Sequence, residues 1–453
     1  MPGPVRVDAL VAEIGSTTTV VSAFIGLADG AADPPRLVGQ GVAPTSVVQG
    51  DVGIGFAEAR AELEDRIGSV EPALTLATSS AAGGLRMTVH GLTAKMTAMA
   101  AREAALGAGG VVEHQTSGRL TDADLTIIDE VAPGLILLAG GVEGGDSEVV
   151  LHNARRLAAI TARPIVVYGG NSAAAAEART TLESAGFRVR VTENVYPSVD
   201  ELDILPARRV IHDAFEEHII HAPGMERIGE FVSGHILPTP GSVLVASELL
   251  AAELGDLVVI DVGGATTDVH SVTDGSAEIA ALATEPQPRA KRTVEGDLGT
   301  YISARHVVDL MPGEHADFPP AIPTEDEDRD AAARLAHTAA VTAVRRHAGR
   351  LVHLYTPRGR QTVARGRDLT ACRYVIGTGG ALTRLPGGEA TLAAVRATPA
   401  GGDLLLPPSD AVVVLDRDYV FACCGVLASV FPAERVVALM RVSLGMLAGE
   451  EER

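Results

Sequence analysis

Two short stretches, far apart in a chain of 453 residues, carry the residue types that grip a phosphate. They are Glu13-Ile14-Gly15-Ser16-Thr17-Thr18-Thr19 and Asp261-Val262-Gly263-Gly264-Ala265-Thr266-Thr267, and they match position by position. Each opens with an acid, a branched aliphatic residue and a glycine. Each carries Thr-Thr at the fifth and sixth steps after the acid. Gly15, Gly263 and Gly264 leave no Cβ between phosphate oxygens and the backbone N–H groups. Ser16, Thr17, Thr18, Thr266 and Thr267 add hydroxyl donors at the same turns. Glu13 and Asp261 suit Mg²⁺, which keeps most of its waters and takes only one or two carboxylates. Asp268 closes the second turn and could orient a metal-bound or attacking water. Asp261 and Asp268 are therefore the candidate catalytic groups. A third glycine-rich segment, Ile376-Gly377-Thr378-Gly379-Gly380-Ala381-Leu382, follows an apolar strand. Gly377, Gly379 and Gly380 would let a flat ligand approach the backbone, with a helix N-terminus aimed at it. Glycine, serine, threonine and aspartate also dominate ordinary turns. One such turn alone would mean little; two matched copies and a third glycine-rich strand end mean more. Neither hairpin has the P-loop spacing, and GTGG lacks the full dinucleotide fingerprint.

These turns need strands on either side. Apolar runs at 7–12 and 20–24 flank the first, and 256–261 and 268–272 flank the second. RLVGQGVA (36–43) could add a third strand to the first set. Residues 73–77, 135–139, 165–168, 373–376 and 411–415 read as further strands. Helical spacing covers 57–67, 91–106, 152–160, 172–185, 241–254, 331–354, 425–431 and 434–447. The alternation of strand and helix around 135–185 predicts a parallel sheet. Residues 285–300 and 312–328 are rich in proline, glycine and charge and read as loops.

Composition narrows the possibilities further. The chain is long enough for two or three domains. Aromatic residues make up only 3%, with no tryptophan, so alanine, valine, leucine and isoleucine must build an α/β core. A formal charge of −21 argues against a nucleic-acid partner. Cys372, Cys423 and Cys424 have no CxxC spacing and read as packed thiols in a reducing cytoplasm. The N-terminus lacks the pattern of a signal peptide, and no apolar run is long enough to span a bilayer. His218 and His221 lie three apart in DAFEEHIIH but have no further ligand at zinc spacing. The loop Glu295–Gly299 after Arg289–Arg292 could close on nucleotide, contact a partner or be a solvated turn, and the turn Thr78–Gly84 reads as a tight strand-to-helix connection rather than a second ligand turn.

The order of the three glycine-rich motifs resembles the phosphate-1, phosphate-2 and adenosine motifs of the actin/Hsp70/sugar-kinase superfamily. That resemblance implies two ribonuclease H-like lobes holding ATP and Mg²⁺ in a cleft. Glu13 and Asp261 would face the metal, and Gly377, Gly379 and Gly380 the nucleoside. Glu13 departs from the aspartate usual there, and the turn LPTPGS lacks the water-positioning glutamate of Hsp70-type members. A narrower resemblance covers nearly the whole chain. The stretches VAEIGSTTTVVSAF, TSSAAGGLRMTVHGLT, LILLAGGVEGGD, VYGGNSAA, TENVYPSVDELDI, DVGGATTDVHSV and RTVEGDLG are similar to the accessory protein of glutamate mutase (methylaspartate mutase). It implies an ATP-dependent reactivating factor that drives damaged cobalamin out of an adenosylcobalamin-dependent mutase. The expected layout is a first lobe over 1–240, with an inserted α/β region at about 45–235, and a second lobe over 241–453. The expected partners are mutase subunits, with no nucleic acid or membrane, and a homodimer is compatible. The rival functions are a small-molecule kinase of the same fold and a nucleotide-dependent actin-like scaffold.

Overall fold

The computed structural model describes residues 3–81, 84–311, 318–356, 359–397 and 402–446. The chain forms two compact units. The first comprises Met1–Ala82, Pro223–Thr284 and Arg289–Arg453; the second comprises Gly83–Ala222 and Glu285–Pro288.

The first unit opens with an antiparallel meander, β1 (Val5–Ile14), β2 (Thr18–Ile25) and β3 (Arg36–Pro44). Ala9–Ile14 of β1 and six of the eight residues of β2 are buried, most of them aliphatic or small. The helix Val52–Ile67 follows, started by Asp51, whose side chain accepts from Gly53 N at 2.8 Å. β4 (Val70–Ser79) then lies parallel to β1.

The second unit enters the chain after β4. Its strands are β5 (Leu85–Gly91), β6 (Gly110–Ser117), β7 (Leu135–Leu138), β8 (Ile165–Tyr168) and β9 (Arg188–Val191). All neighbours are parallel, in the order β6-β5-β7-β8-β9. This is the 2-1-3-4-5 order of a doubly wound sheet. The parallel sheet expected from the alternation around 135–185 is present. LILL and IVVY are fully buried, as strands covered on both faces must be. The expected helix over 91–106 starts later, at Thr97, because Gly91 ends the strand LRMTVHG and Leu92 N and Thr93 N donate to Thr97 Oγ1 in the turn between. The sequence region set apart as about 45–235 thus holds this unit at 83–222, and also the helix Val52–Ile67 and β4 of the first unit.

The chain then returns to the first unit. β10 (Ile236–Pro238) runs parallel to β4, completing the order β10-β4-β1-β2-β3. After the helix Thr239–Leu254 come β11 (Leu257–Val262), β12 (Thr267–Val272) and β13 (Ala290–Glu295). β13 corrects the expectation of a loop over 285–300. Its inward-facing arginine, Arg292, gives AKRTVE the look of a solvated segment, yet Arg292 is only 1% exposed. The helix Asp326–His347 ends earlier than the expected Leu354. Beyond Ala348-Gly349 the chain turns into a two-stranded hairpin, β14 (Arg350–Thr356) and β15 (Gly359–Arg365). β16 (Tyr374–Thr378) and β17 (Val412–Leu415) finish the second sheet, order β13-β12-β11-β16-β17. The last helices are Phe421–Leu427, four residues earlier than expected, and Ala433–Ser443.

The two sheets of the first unit share one topology. In each, a hairpin strand pairs antiparallel with its successor, which pairs antiparallel with a third. On its other side each hairpin strand has a parallel neighbour, itself flanked by one more parallel strand. The chain therefore has the α/β, duplicated actin-like architecture expected of it, with a large insertion in the first half. One apolar core joins Ala9, Val11 and Leu76 of the first sheet to Leu257 and Val259 of the second through the helices Thr239–Leu254 and Phe421–Leu427. A second core packs the other face of the second sheet against Asp326–His347.

Candidate functional site

The duplicated topology puts the two acids at equivalent places. Glu13 is the last residue but one of β1, and Asp261 the last but one of β11. Each strand then makes the same tight turn. Gly15 N donates to Thr18 O at 2.9 Å, and Gly263 N donates to Thr266 O at 3.0 Å. The likeness extends to the strand after next. Thr45 Oγ1 donates to Gly15 O at 2.8 Å, and Thr300 Oγ1 to Gly263 O at 3.4 Å.

The two turns face each other. A Cβ built on Gly264 would come within 2.9 Å of Thr17 Cγ2, so the lobes nearly touch at their phosphate-binding candidates. Around this point is a cleft of about 280 Å³. Glu13, Gly15, Ser16, Thr17 and Thr18 line it from the first lobe. Asp261, Gly263, Gly264, Thr266 and Asp268 line it from the second, with Gly379 and Gly380 beside them. Two predicted residues do not line it. Thr267 is fully buried and donates to Leu298 O at 2.5 Å. Gly377 lies within β16, packed by Leu392 and Leu415. Gly379 has φ +84°, and a Cβ there would meet Asp261 Oδ1 at 2.4 Å, so only glycine fits so close to the acid.

The electrostatics are those of crowded carboxylates. Asp261 and Asp268 are direct cross-strand partners. Burial, then the charges of Asp268, Glu13 and Asp416, hold the Asp261 carboxyl well above the usual range. Glu13 is pushed up to about 7, chiefly by burial; a hydrogen bond from Tyr419 and the charge of Arg384 oppose this. Among the described residues its buried Oε2 has no hydrogen-bond partner, nor has Thr239 Oγ1 on the rim of the same cleft. Asp268 differs. Arg292 Nε and Nη2 donate to its Oδ1 at 2.7 and 2.6 Å, and Thr266 Oγ1 donates to Oδ2 at 3.1 Å.

Four contributors were not read from the sequence. Tyr419, beyond β17, donates its hydroxyl to Glu13 Oε1 at 2.5 Å and has φ +53°, a left-handed conformation unusual for a tyrosine. Asp416 fixes this loop: it is fully buried and accepts from Thr378 Oγ1, Ser443 Oγ, Val420 N and Phe421 N. Arg384 stacks over the Tyr419 ring, 5.2 Å from Cζ to centroid. Arg292 is the fourth. Arg292 opens the stretch RTVEGDLG but gave no sign of a role in the site, and Tyr419, Asp416 and Arg384 lie in no motif.

Nucleotide and Mg²⁺ fit this donor set. The orphaned Glu13 oxygen and the raised Asp261 carboxyl are groups that a cation would satisfy, and bare glycine amides edge the cleft. Among the described residues no group of three or more His, Cys, Asp or Glu side chains is arranged to hold a metal. The three cysteines are free and buried. No helix among the described residues is long and apolar enough to cross a membrane.

Comparisons with known proteins follow this geometry. The chain is similar to (R)-2-hydroxyglutaryl-CoA dehydratase component A from Acidaminococcus fermentans, at 10% identity and TM-score 0.29, over 96% of this chain and 98% of that one. It is also similar to nucleotide-free acetone carboxylase, at 12% identity and TM-score 0.40, over 93% of this chain and 70% of that one. Such scores add nothing to the topology above. A relative from Clostridium tetanomorphum, Protein MutL, is 35% identical over 425 residues, covering 87% of this chain and 92% of its own. The family model described as MutL protein matches residues 9–443, and the chain belongs to that family.

Proposed function

We propose that this protein is an ATP-dependent accessory factor of an adenosylcobalamin-dependent amino-acid mutase, glutamate mutase, and that it reactivates the enzyme by driving out damaged cobalamin. The observation that carries the ATPase half is the pair of matched turns, one per lobe, meeting at Thr17 and Gly264. The family name and the resemblance of the longer stretches support the mutase half. In this reading the amides and hydroxyls of Gly15–Thr18 and Gly263–Thr266 bind the phosphates. Glu13 and Asp261 would hold Mg²⁺, which when bound supplies positive charge against the phosphate oxygens. Gly379 and Gly380 leave room for the nucleoside. Asp268, held in place by Arg292, orients a water through the oxygen that Thr266 also touches. Turns that share one phosphate chain tie the lobes; loss of its end releases them, a hinge motion able to work on a bound partner.

A kinase of this fold would need a carboxylate free to take a proton from a substrate hydroxyl. Asp268 is engaged in a buried ion pair, which weighs against that use. The test mixes the protein with cyanocobalamin-inactivated glutamate mutase, adenosylcobalamin, ATP and Mg²⁺. Restored mutase activity that depends on hydrolysable ATP is expected. Failure to restore activity by a protein that binds ATP would remove the mutase reading and leave the nucleotide site standing.

A further inference from the structure

The charge of this chain is unevenly spread. Residues 345–367 hold seven arginines and no acid, so within a total of −21 the remainder of the chain carries −28. Most of this segment is the hairpin β14–β15. Its base is anchored to the first unit: Ala364 N donates to Leu282 O, Thr284 N to Ala364 O and Leu351 N to Asp403 O. Beyond Val352 and Val363 the two strands pair in register with each other.

Three features of the hairpin lack an internal explanation. Arg350 and Arg365 are directly opposite one another, a like-charge cross-strand pair that costs stability. Arg350, Arg360 and Arg365 are exposed, and none of their side chains has a hydrogen-bond or ion-pair partner among the described residues. Tyr355, the cross-strand partner of Arg360, is 85% exposed. The nearest acid contact is weak, Asp403 Oδ1 at 3.9 Å from His353 Nε2. Arginine and tyrosine are the residues most enriched at the energetic centre of protein interfaces.

We infer that the β14–β15 hairpin is a docking element for an acidic surface of the partner protein, engaged through Arg360 and Tyr355 on one face of the ribbon and Arg350 and Arg365 on the other. The partner's identity rests on the mutase reading given above; the chemistry of the patch does not. Charge complementarity selects a compact protein surface. A nucleic-acid duplex carries a charge every ~1.7 Å and would run past a hairpin of roughly 20 Å onto a strongly negative body. A short acidic patch meets only the arginines, because charges beyond about 8 Å are screened at physiological salt.

The test measures the affinity of purified glutamate mutase for the full-length protein, wild type and two triple variants. These are R350E/R360E/R365E and R350K/R360K/R365K. Charge reversal should weaken binding by about tenfold or more, the lysine variant by far less, and rising salt should weaken only the wild type and lysine forms strongly. Nucleotide affinity and the unfolding transition should be unchanged in both. Equal binding by the charge-reversed variant, with new self-association, would mean that the arginines merely guard an open strand edge, and would overturn the inference. So would a labelled duplex that binds through these arginines more tightly than the mutase does. A wild-type protein that binds ATP but not the mutase would instead sink the partner reading, and this proposal with it.

Discussion

Tyr419 and Asp268 show how single side chains hold the cleft's charges in place. The Tyr419 hydroxyl bonds the only satisfied oxygen of Glu13, from a backbone conformation that costs energy to maintain. Tyr419→Phe leaves both Glu13 oxygens without a partner in the ligand-free protein. Such a loss is worth about 1–3 kcal/mol in denaturant unfolding. Adding Mg²⁺ and ATP should shrink it, because the cation takes over the carboxylate; an equal loss under both conditions would separate Glu13 from the metal. Asp268 poses the opposite case, an ion pair already complete. Asp268→Asn removes the carboxylate of a buried ion pair whose arginine, Arg292, is 1% exposed, and should cost about 3–5 kcal/mol. Arg292→Met in addition should recover much of that stability while ATP turnover stays lost. Continued instability of the double variant would show that packing, and not the broken ion pair, sets the cost.

At the scale of elements, what matters is how closely two turns approach. Gly264 has ordinary backbone angles, so alanine there strains nothing locally; its Cβ meets the far end of Thr17 in the other lobe. Gly264→Ala should therefore lower ATP affinity by about tenfold, roughly 1.4 kcal/mol, with little change in folding stability. Gly264→Ala combined with Thr17→Ser, which removes the obstructing methyl, should restore binding by titration calorimetry. Unrelieved loss would place the effect in the turn itself. The same contact marks what the sequence could and could not reveal. The hairpins were legible because acid, glycine and hydroxyls must occur in a fixed local order, and that order repeats. Thr267 was misplaced by that logic: strand alternation turns it inward, to Leu298 O. β13 was hidden because Arg292 faces the interior, where a pattern reader expects an apolar residue. β14 was absorbed into the preceding helix because LVHLY suits either period, and only Gly349 divides them. Tyr419 reaches Glu13 across 406 positions of sequence, a separation no local pattern encodes.

On the scale of the whole molecule, every residue of the cleft belongs to one compact unit, while the other has its own doubly wound sheet and core. A ligand that binds one unit stabilises only that unit, by about 2.7 kcal/mol at a hundred times its Kd. His90 labels the other. It is fully buried, its Nδ1 2.8 Å from Thr116 Oγ1 and its Nε2 3.0 Å from Thr88 Oγ1. Burial chiefly, and then the neighbouring His114, lowers its pKa to about 3. A histidine held neutral this way contributes fully above its unfolded pKa of about 6.5, and its contribution is lost as pH falls toward 3. Glu13, raised to about 7, runs the other way in the first unit: its contribution is present at low pH and lost as pH rises through 7. Calorimetry should resolve two transitions, with Mg²⁺ and ATP moving one of them. His90→Gln should lower the other at pH 7, and its deficit against wild type should narrow by about 2 kcal/mol by pH 5. A single transition that responds to both nucleotide and His90→Gln would mean that the units fold as one, and that the energy of nucleotide binding reaches the doubly wound unit directly.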